Sequence, residues 1–353
     1  MVLEQIVTTQ GIGYLWYAIF LVLGIVLLVK GADLFVGGAA AISKKLRIPA
    51  LIIGLTVVSF GTSAPELAVS LTASIKGDSA IAMGNVIGSN IMNLLVVLGC
   101  SSVIAPIIVK KSICKREIPF LLGATVLLII FTLFSFFNKN ITQPQELVWY
   151  EGLVFVLGIV LFCYLSIVLA KKDAKNNPEE NQEEEIEDMP IWKALLFLVL
   201  GLAGIIIGAE FVTTPAKVIA TSLGVLAKLN INDVVSVVGL TVVAVGTSLP
   251  ELVTSIVAAK KGENEIALGN VVGSNIFNIL FICGLSSLVI PLSVSPDITT
   301  DMFISLAVTA IVLFICLTGK INRKFGGLLL AIYAIYLVYI LVRLFNPGLV
   351  LPF

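Results

Sequence analysis

The sequence predicts an all-α polytopic membrane protein, with ten transmembrane helices arranged as two inverted five-helix repeats. Three observations predict it. The composition is 58% hydrophobic and 12% charged, with a mean hydropathy of +1.09, whereas soluble domains carry about 25% charged residues. Apolar stretches long enough to cross about 30 Å of hydrocarbon at about 1.5 Å per residue recur along the whole chain. Finally, the segment 54–99 is written again at 239–284 with a constant offset of 185 residues, and 27 of its 46 positions are identical. Every Gly, Pro, Asn and Glu of the first copy recurs in the second, as do Thr62, Ser63 and Ser89, while many Leu, Ile, Val and Phe positions drift. Agreement that keeps these polar residues inside apolar segments indicates a shared polar task.

Taken in order, the spans are 12–42, 48–75, 79–106, 117–137, 147–170, 191–223, 233–259, 265–291, 301–319 and 325–345. The first and sixth are long enough to tilt or to extend past the bilayer. Lys and Arg orient them. With the N-terminus outside, the cytoplasmic connections hold Lys44, Lys45, Arg47, Lys110, Lys111, Lys115, Arg116, Lys171, Lys172, Lys175, Lys260, Lys261, Lys320, Arg323 and Lys324. The outer ends keep Lys76, Lys139, Lys228 and Arg343, a balance of 15 against 4 that follows the positive-inside rule. Five spans per half make the halves antiparallel, an architecture that recurs in secondary transporters. A weaker echo lies upstream of each copy, where Gly31-Ala32-Asp33 resembles Gly208-Ala209-Glu210; there the second half carries eight extra residues, placed around 223–232.

Three regions follow: a first half at 1–170, an acidic segment at 171–190 and a second half at 191–353. The middle segment, KKDAKNNPEENQEEEIEDMP, reads as a solvated cytoplasmic linker, too short for a regulatory domain. A net charge of zero and the lack of a basic patch with interleaved aromatics give no support to nucleic-acid binding. Five Cys without CxxC spacing (100, 114, 163, 283 and 316) read as small buried hydrophobes. The chain has no His, so His metal ligands and His proton relays are excluded. Only Glu4 is charged before Lys30, which argues against a cleavable signal peptide.

The chemistry gathers at Gly61-Thr62-Ser63-Ala64-Pro65-Glu66 and its copy Gly246-Thr247-Ser248-Leu249-Pro250-Glu251. A carboxylate within a membrane span costs roughly 2.5–3.5 kcal/mol on insertion scales and marks a functional site by default. Pro65 has no N–H and clashes with the carbonyl four residues back, so the helix breaks there. The carbonyls around Ser59–Thr62, and those around Ala244–Thr247, are expected to lose their helical donors and to seek a partner such as a cation. Ser63-x-x-Glu66 also fits a capping box, a local role compatible with ion binding. In the next span Asn85, Ser89 and Asn93 lie four apart on one helix face, as do Asn270, Ser274 and Asn278. Gly84 with Gly88, and Gly269 with Gly273, form GxxxG motifs that permit close backbone contact. Every candidate ligand is oxygen, which suits a hard cation; a dehydrated site with two carboxylates favours Ca²⁺ over Mg²⁺.

GTSAPE with GNVIGSN, and GTSLPE with GNVVGSN, resemble the two α-repeats of the cation/calcium exchanger superfamily, most nearly its prokaryotic sodium/calcium exchanger branch. The resemblance covers essentially the whole chain. It implies Na⁺/Ca²⁺ antiport by alternating access, with the first and sixth helices sliding against a bundle of eight. It further implies a calcium site of Glu66, Glu251 and the carbonyls of Thr62 and Thr247. Sodium positions would use Ser63, Ser89, Ser248, Ser274 and the carbonyls of Ser59 and Ala244, with Asn93 and Asn278 ending the polar stripes beside the centre. Some relatives carry an aspartate where this chain has Asn278, and its amide argues against K⁺ co-transport. Ca²⁺ and Na⁺ enter as transported substrates, no cofactor is expected, and the bilayer is the one partner implied. The location implied is the cell membrane. Two other readings stand beside this one: a Ca²⁺/H⁺ exchanger on the same scaffold, and, in a different class, a cation channel or non-transporting scaffold. No nucleophile–base pair, phosphate loop or thiolate cluster points to an enzyme.

Overall fold

The structure is a computed structural model that describes residues 12–46, 48–134, 146–176, 189–226 and 244–345. In chain order the helices are α1 (Ile12–Leu46), α2 (Ala50–Thr62), α3 (Ala64–Ile75), α4 (Ser79–Ile104), α5 (Ile113–Leu133), α6 (Trp149–Asn176), α7 (Ile191–Leu226), α8 (Ala244–Thr247), α9 (Leu249–Lys260), α10 (Asn264–Val289), α11 (Pro296–Leu317) and α12 (Arg323–Phe345). Among the described residues eight helices are long and apolar enough to cross a membrane, or nine when α2 and α3, bent by 48°, count as one broken span. The all-α polytopic class holds. The span expected at 233–259 is described only from Ala244 onward, so the count of ten rests partly outside the described residues. Most of the acidic linker (177–188) and of the 223–232 insertion, together with Arg47, Lys139 and Lys228, also lie outside them.

Burial separates centre from rim. The most apolar window of α10 is 94% buried and that of α4 is 72%, against 33% for α1, 28% for α6, 22% for α7 and 17% for α12. Hence α4 and α10, the helices that carry the polar stripes, form the centre. The outer helices turn Leu, Val and Ile outward, and Trp149 and Trp192 stand exposed at the first turns of α6 and α7, the position of an interfacial aromatic belt.

The two halves repeat each other in their joints. Helix α3 ends where Gly77 takes φ 81° and α9 where Gly262 takes φ 83°, 185 residues apart. Each closes its helix with the bond pattern of a Schellman motif: Asp78 N–H donates to the Ala73 carbonyl at 2.8 Å and Glu263 N–H to Ala258 at 2.9 Å. Two short ladders close the ends of the bundle, β1 (Ile107–Ile108) with β4 (Lys320–Ile321), and β2 (Glu146–Leu147) with β3 (Leu292–Ser293). At the β2–β3 end, α11 and α12 are tied by Arg343, whose two terminal nitrogens reach the Asp301 carboxylate at 3.2 and 3.1 Å.

α1 and α7 lie backbone to backbone. A Cβ on Gly31 would sit 2.8 Å from the Ile205 nitrogen and 2.9 Å from the Gly201 carbonyl, and one on Gly208 would sit 2.7 Å from the Leu28 nitrogen. Glycine here removes the side chain that would hold two membrane helices apart. The pair therefore packs as a unit along the side of the bundle.

Candidate functional site

The break in the second span lies where Pro65 predicts it. Ser63 leaves helical geometry (φ −82°, ψ 7°), and Ser248 does the same in the second half (φ −89°, ψ 4°). The Ser59 carbonyl nevertheless keeps a donor, the Ser63 amide at 3.0 Å. This corrects the expected reach of the gap: only the residue four before the proline loses its donor by necessity, so the opening begins at Gly61 rather than Ser59. The capping-box reading is also corrected. Neither Ser63 nor Ser248 makes a side-chain cap bond to its own helix.

Those serines instead reach across to the opposite half. Ser63 Oγ donates to Glu251 Oε1 at 2.9 Å, and Ser248 Oγ to Glu66 Oε1 at 3.4 Å. Ser274 Oγ adds a second donor to Glu251 Oε1 at 3.4 Å, and Ser89 Oγ one to Glu66 Oε1 at 3.5 Å. Each carboxylate is thus held through one oxygen by one serine from each half. The other oxygen, Oε2, is buried without a hydrogen-bond partner in both residues, and both glutamates are fully buried. A buried acceptor left unmatched is costly, and one bearing charge more so; two of them stand at mirror positions.

Asparagines frame the carboxylates. Asn85 Nδ2 donates to the Glu66 carbonyl at 3.2 Å and to Ser70 Oγ at 2.9 Å; Asn270 Nδ2 donates to the Glu251 carbonyl at 3.4 Å and to Ser255 Oγ at 2.9 Å. Asn270 also accepts Thr62 Oγ1 at 3.0 Å, which ties the broken helix of one half to the glutamate helix of the other. At Asn93 and at Asn278 the helix loosens into a π-turn, over Asn93–Val97 and Asn278–Cys283. Such turns recur at functional sites. Both polar atoms of the Asn93 amide, and Asn278 Oδ1, are buried without a partner.

The site residues read from sequence thus fall into two mirrored hydrogen-bonded groups, Thr62, Ser63 and Ser274 with Glu251, and Ser89 and Ser248 with Glu66, while Asn278 bonds Asn90. Ser59 is fully buried and donates through Oγ to the Gly54 carbonyl at 2.6 Å and to Asn270 O at 3.2 Å. Thr247 is buried on α8, which starts at Ala244. Among the described residues no three His, Cys, Asp or Glu side chains gather to hold a metal, so any ion here relies on hydroxyl, amide and main-chain oxygens beside the two carboxylates.

Sequence reading missed the centre of the arrangement. Asn90 Nδ2 donates to the Asn275 carbonyl at 3.4 Å, and Asn275 Nδ2 returns the bond to the Asn90 carbonyl at 3.1 Å. Asn278 Nδ2 adds a bond to Asn90 Oδ1 at 3.0 Å. The two asparagines are 185 positions apart, so they clasp across the axis relating the halves. Their identity in both copies was a signal, but they lie one residue off the stripe of period four.

The comparisons with known proteins agree with this geometry. A family model described as "Sodium/calcium exchanger protein" matches residues 16–168 and 193–342. The chain is similar to the sodium/calcium exchanger MaX1 of Methanosarcina acetivorans, 36% identical over 353 aligned positions that cover 91% of this chain and 97% of that protein. It is similar also to the inner membrane protein YrbG of Escherichia coli, 34% identical over 301 positions, 84% of this chain and 87% of that one. Among solved structures, the sodium-calcium exchanger NCX_Mj soaked with Na⁺ and Sr²⁺ superposes with a TM-score of 0.75 at 31% identity, covering 91% of this chain and 97% of its own.

Proposed function

Because the chain belongs to the sodium/calcium exchanger protein family, we propose that it is an antiporter that exchanges Na⁺ for Ca²⁺ across the cell membrane by alternating access. The observation that carries this reading is the mirror pair of buried, unpartnered carboxylate oxygens, Glu66 Oε2 and Glu251 Oε2. Two ionised carboxylates balance one Ca²⁺, and oxygen ligands suit a hard cation. The main-chain oxygens of Thr62 and Thr247 complete that central position. Na⁺ takes flanking positions among Ser63, Ser89, Ser248 and Ser274 with the carbonyls of Ser59 and Ala244. Asn93 and Asn278 supply neutral amides beside the centre, with no third carboxylate. The proposed orientation puts the N-terminus outside, with the acidic 171–190 segment and the Lys260–Lys261 end of α9 in the cytoplasm. Glu66 runs on a helix pair rising outward and Glu251 on one descending, so each half presents the same ligands to opposite sides.

A Ca²⁺/H⁺ exchanger is the competing reading, favoured by one observation: each orphaned Oε2 can also take a proton. One assay separates the two. In vesicles loaded with the purified protein, Ca²⁺ uptake follows an imposed Na⁺ gradient and ignores K⁺ and pH gradients if Na⁺ is the counter-ion. Uptake driven by a pH gradient alone would establish the proton reading instead.

A further inference from the structure

We propose that two ion pairs related by the inverted repeat, Asp33–Lys261 and Glu210–Lys76, are alternating latches, one closing the cytoplasmic side and the other the outer side. The first is formed in this structure. Lys261 Nζ lies 2.8 Å from Asp33 Oδ1 and donates to the Asp33 carbonyl at 2.9 Å. Asp33 sits on α1, and Lys261 directly follows α9, the helix of Glu251, on the face assigned to the cytoplasm. The latch thus joins the α1–α7 pair to the helix that carries the second glutamate.

The inverted repeat supplies the second latch. Lys76 is the counterpart of Lys261 at the same offset of 185, directly after α3, the helix of Glu66. Glu210, in the Gly-Ala-Glu echo of Gly31-Ala32-Asp33, is the counterpart of Asp33 on α7. In this structure that pair is open. Glu210 Oε1 accepts Thr214 Oγ1 of its own helix at 2.6 Å, and Lys76 is exposed. Packing has the same asymmetry: α1 runs in close contact with α9, whereas α7 and α3, the mirror pair, have no such packing. The cytoplasmic side is latched and the outer side is not.

Since α1 and α7 meet backbone to backbone at Gly31 and Gly208, a displacement of one carries the other. Exchanging the conformations of the two halves turns the Asp33–Lys261 contact into the Glu210–Lys76 contact. Both ion pairs lie outside the ligand cluster, so they set which side is open without touching the ion. Asp33 and Lys261 are partly exposed, with side-chain exposures of 52% and 36%, so each latch biases the equilibrium modestly, by about two- to five-fold.

This inference rests on the alternating-access reading, and its test is separable from that reading. Apparent Ca²⁺ affinity is measured at each face, in right-side-out and inside-out vesicles, for Asp33→Asn and Glu210→Gln. The affinity read at a face scales with the fraction of molecules open to it. Asp33→Asn is expected to weaken the outer affinity about two- to five-fold and to strengthen the inner one; Glu210→Gln is expected to do the reverse. The charge exchange Asp33→Lys with Lys261→Asp restores the wild-type balance. Shifts in the same direction at both faces, or no shift, overturn the latches while leaving antiport standing; an unmodified chain without Na⁺-driven Ca²⁺ flux overturns the functional reading itself. Should Asp33→Asn fail to insert, a Lys76→Cys, Glu210→Cys chain with the five native cysteines replaced by serine tests the second latch directly. A thiol cross-linker is expected to join the new cysteines during turnover and to arrest transport. Absence of the cross-link overturns the proposal.

Discussion

Glu66 and Glu251 each spend one oxygen on two serines and leave the other without a donor, an arrangement that stability alone does not favour. Replacing either by Gln removes half of the negative charge facing a divalent ion. Glu66→Gln and Glu251→Gln are therefore expected to abolish Ca²⁺ transport while membrane insertion persists, since an amide is cheaper in lipid than a carboxylate. Vesicle flux beside a membrane-fraction blot checks both halves of the statement, and near-normal flux in either variant would remove the carboxylates from the site. Acid acts on the same atoms. A proton on either Oε2 cancels one of the two charges, so apparent Ca²⁺ affinity is expected to fall as pH drops from neutral. Flux at several Ca²⁺ concentrations across that range checks it, and a flat affinity would mean that the glutamates do not ligate together. Residue types and spacing made the two glutamates and their serines legible in the sequence as candidate ligands. The partner of each serine was not legible, because Ser63 reads locally as an N-cap and donates instead to a glutamate 188 residues away.

Helices α1 and α7 depend on glycine where their backbones meet, which makes their contact sensitive to a single side chain. Gly31→Val is expected to lower the thermal unfolding midpoint, with an overpacking cost of about 1–3 kcal/mol, because even a Cβ would fall 2.8 Å from the Ile205 nitrogen. Gly327→Ala is the control: Gly327 is exposed on α12 with nothing within 4 Å of a Cβ, and alanine there is expected to be neutral or slightly stabilising. Unfolding scans of both variants in detergent decide the matter; equal midpoints would mean that the two helices can separate at little cost. Spans and the proline break were readable because hydropathy length and a missing N–H are local properties. The π-turns at Asn93 and Asn278 were not, since the extra residue in those turns leaves the order of side chains unchanged. Gly24, Gly31 and Gly38 recur every seven residues along α1, a visible stripe whose partner helix the sequence does not name. The Asn90–Asn275 clasp likewise needs two halves folded against each other before it exists.

In the proposed inverted arrangement the whole molecule presents two equivalent faces, and the charge it carries decides what would drive it. On the proposed function, two ionised carboxylates plus one Ca²⁺ sum to zero, so a loaded site would cross the low-dielectric barrier as a neutral unit. Two Na⁺ would also sum to zero and make the exchange electrically silent, whereas three leave one net positive charge. The resemblance to the exchanger family favours three, with hydroxyl and carbonyl positions proposed to flank the centre on both sides through the repeat. One unit charge moved across 100 mV is worth about 2.3 kcal/mol, and about 1.4 kcal/mol is a factor of ten, so an imposed potential shifts a three-for-one equilibrium more than tenfold. In sealed vesicles held inside-negative, Na⁺ is expected to enter and Ca²⁺ to leave against its gradient. The reversal point, read as the Ca²⁺ ratio at which net flux stops, is expected to move with a potential set by K⁺ and valinomycin. Its indifference to that potential would fix the count at two Na⁺ per Ca²⁺, the result to expect if replacing a carboxylate by the Asn278 amide deletes one sodium position.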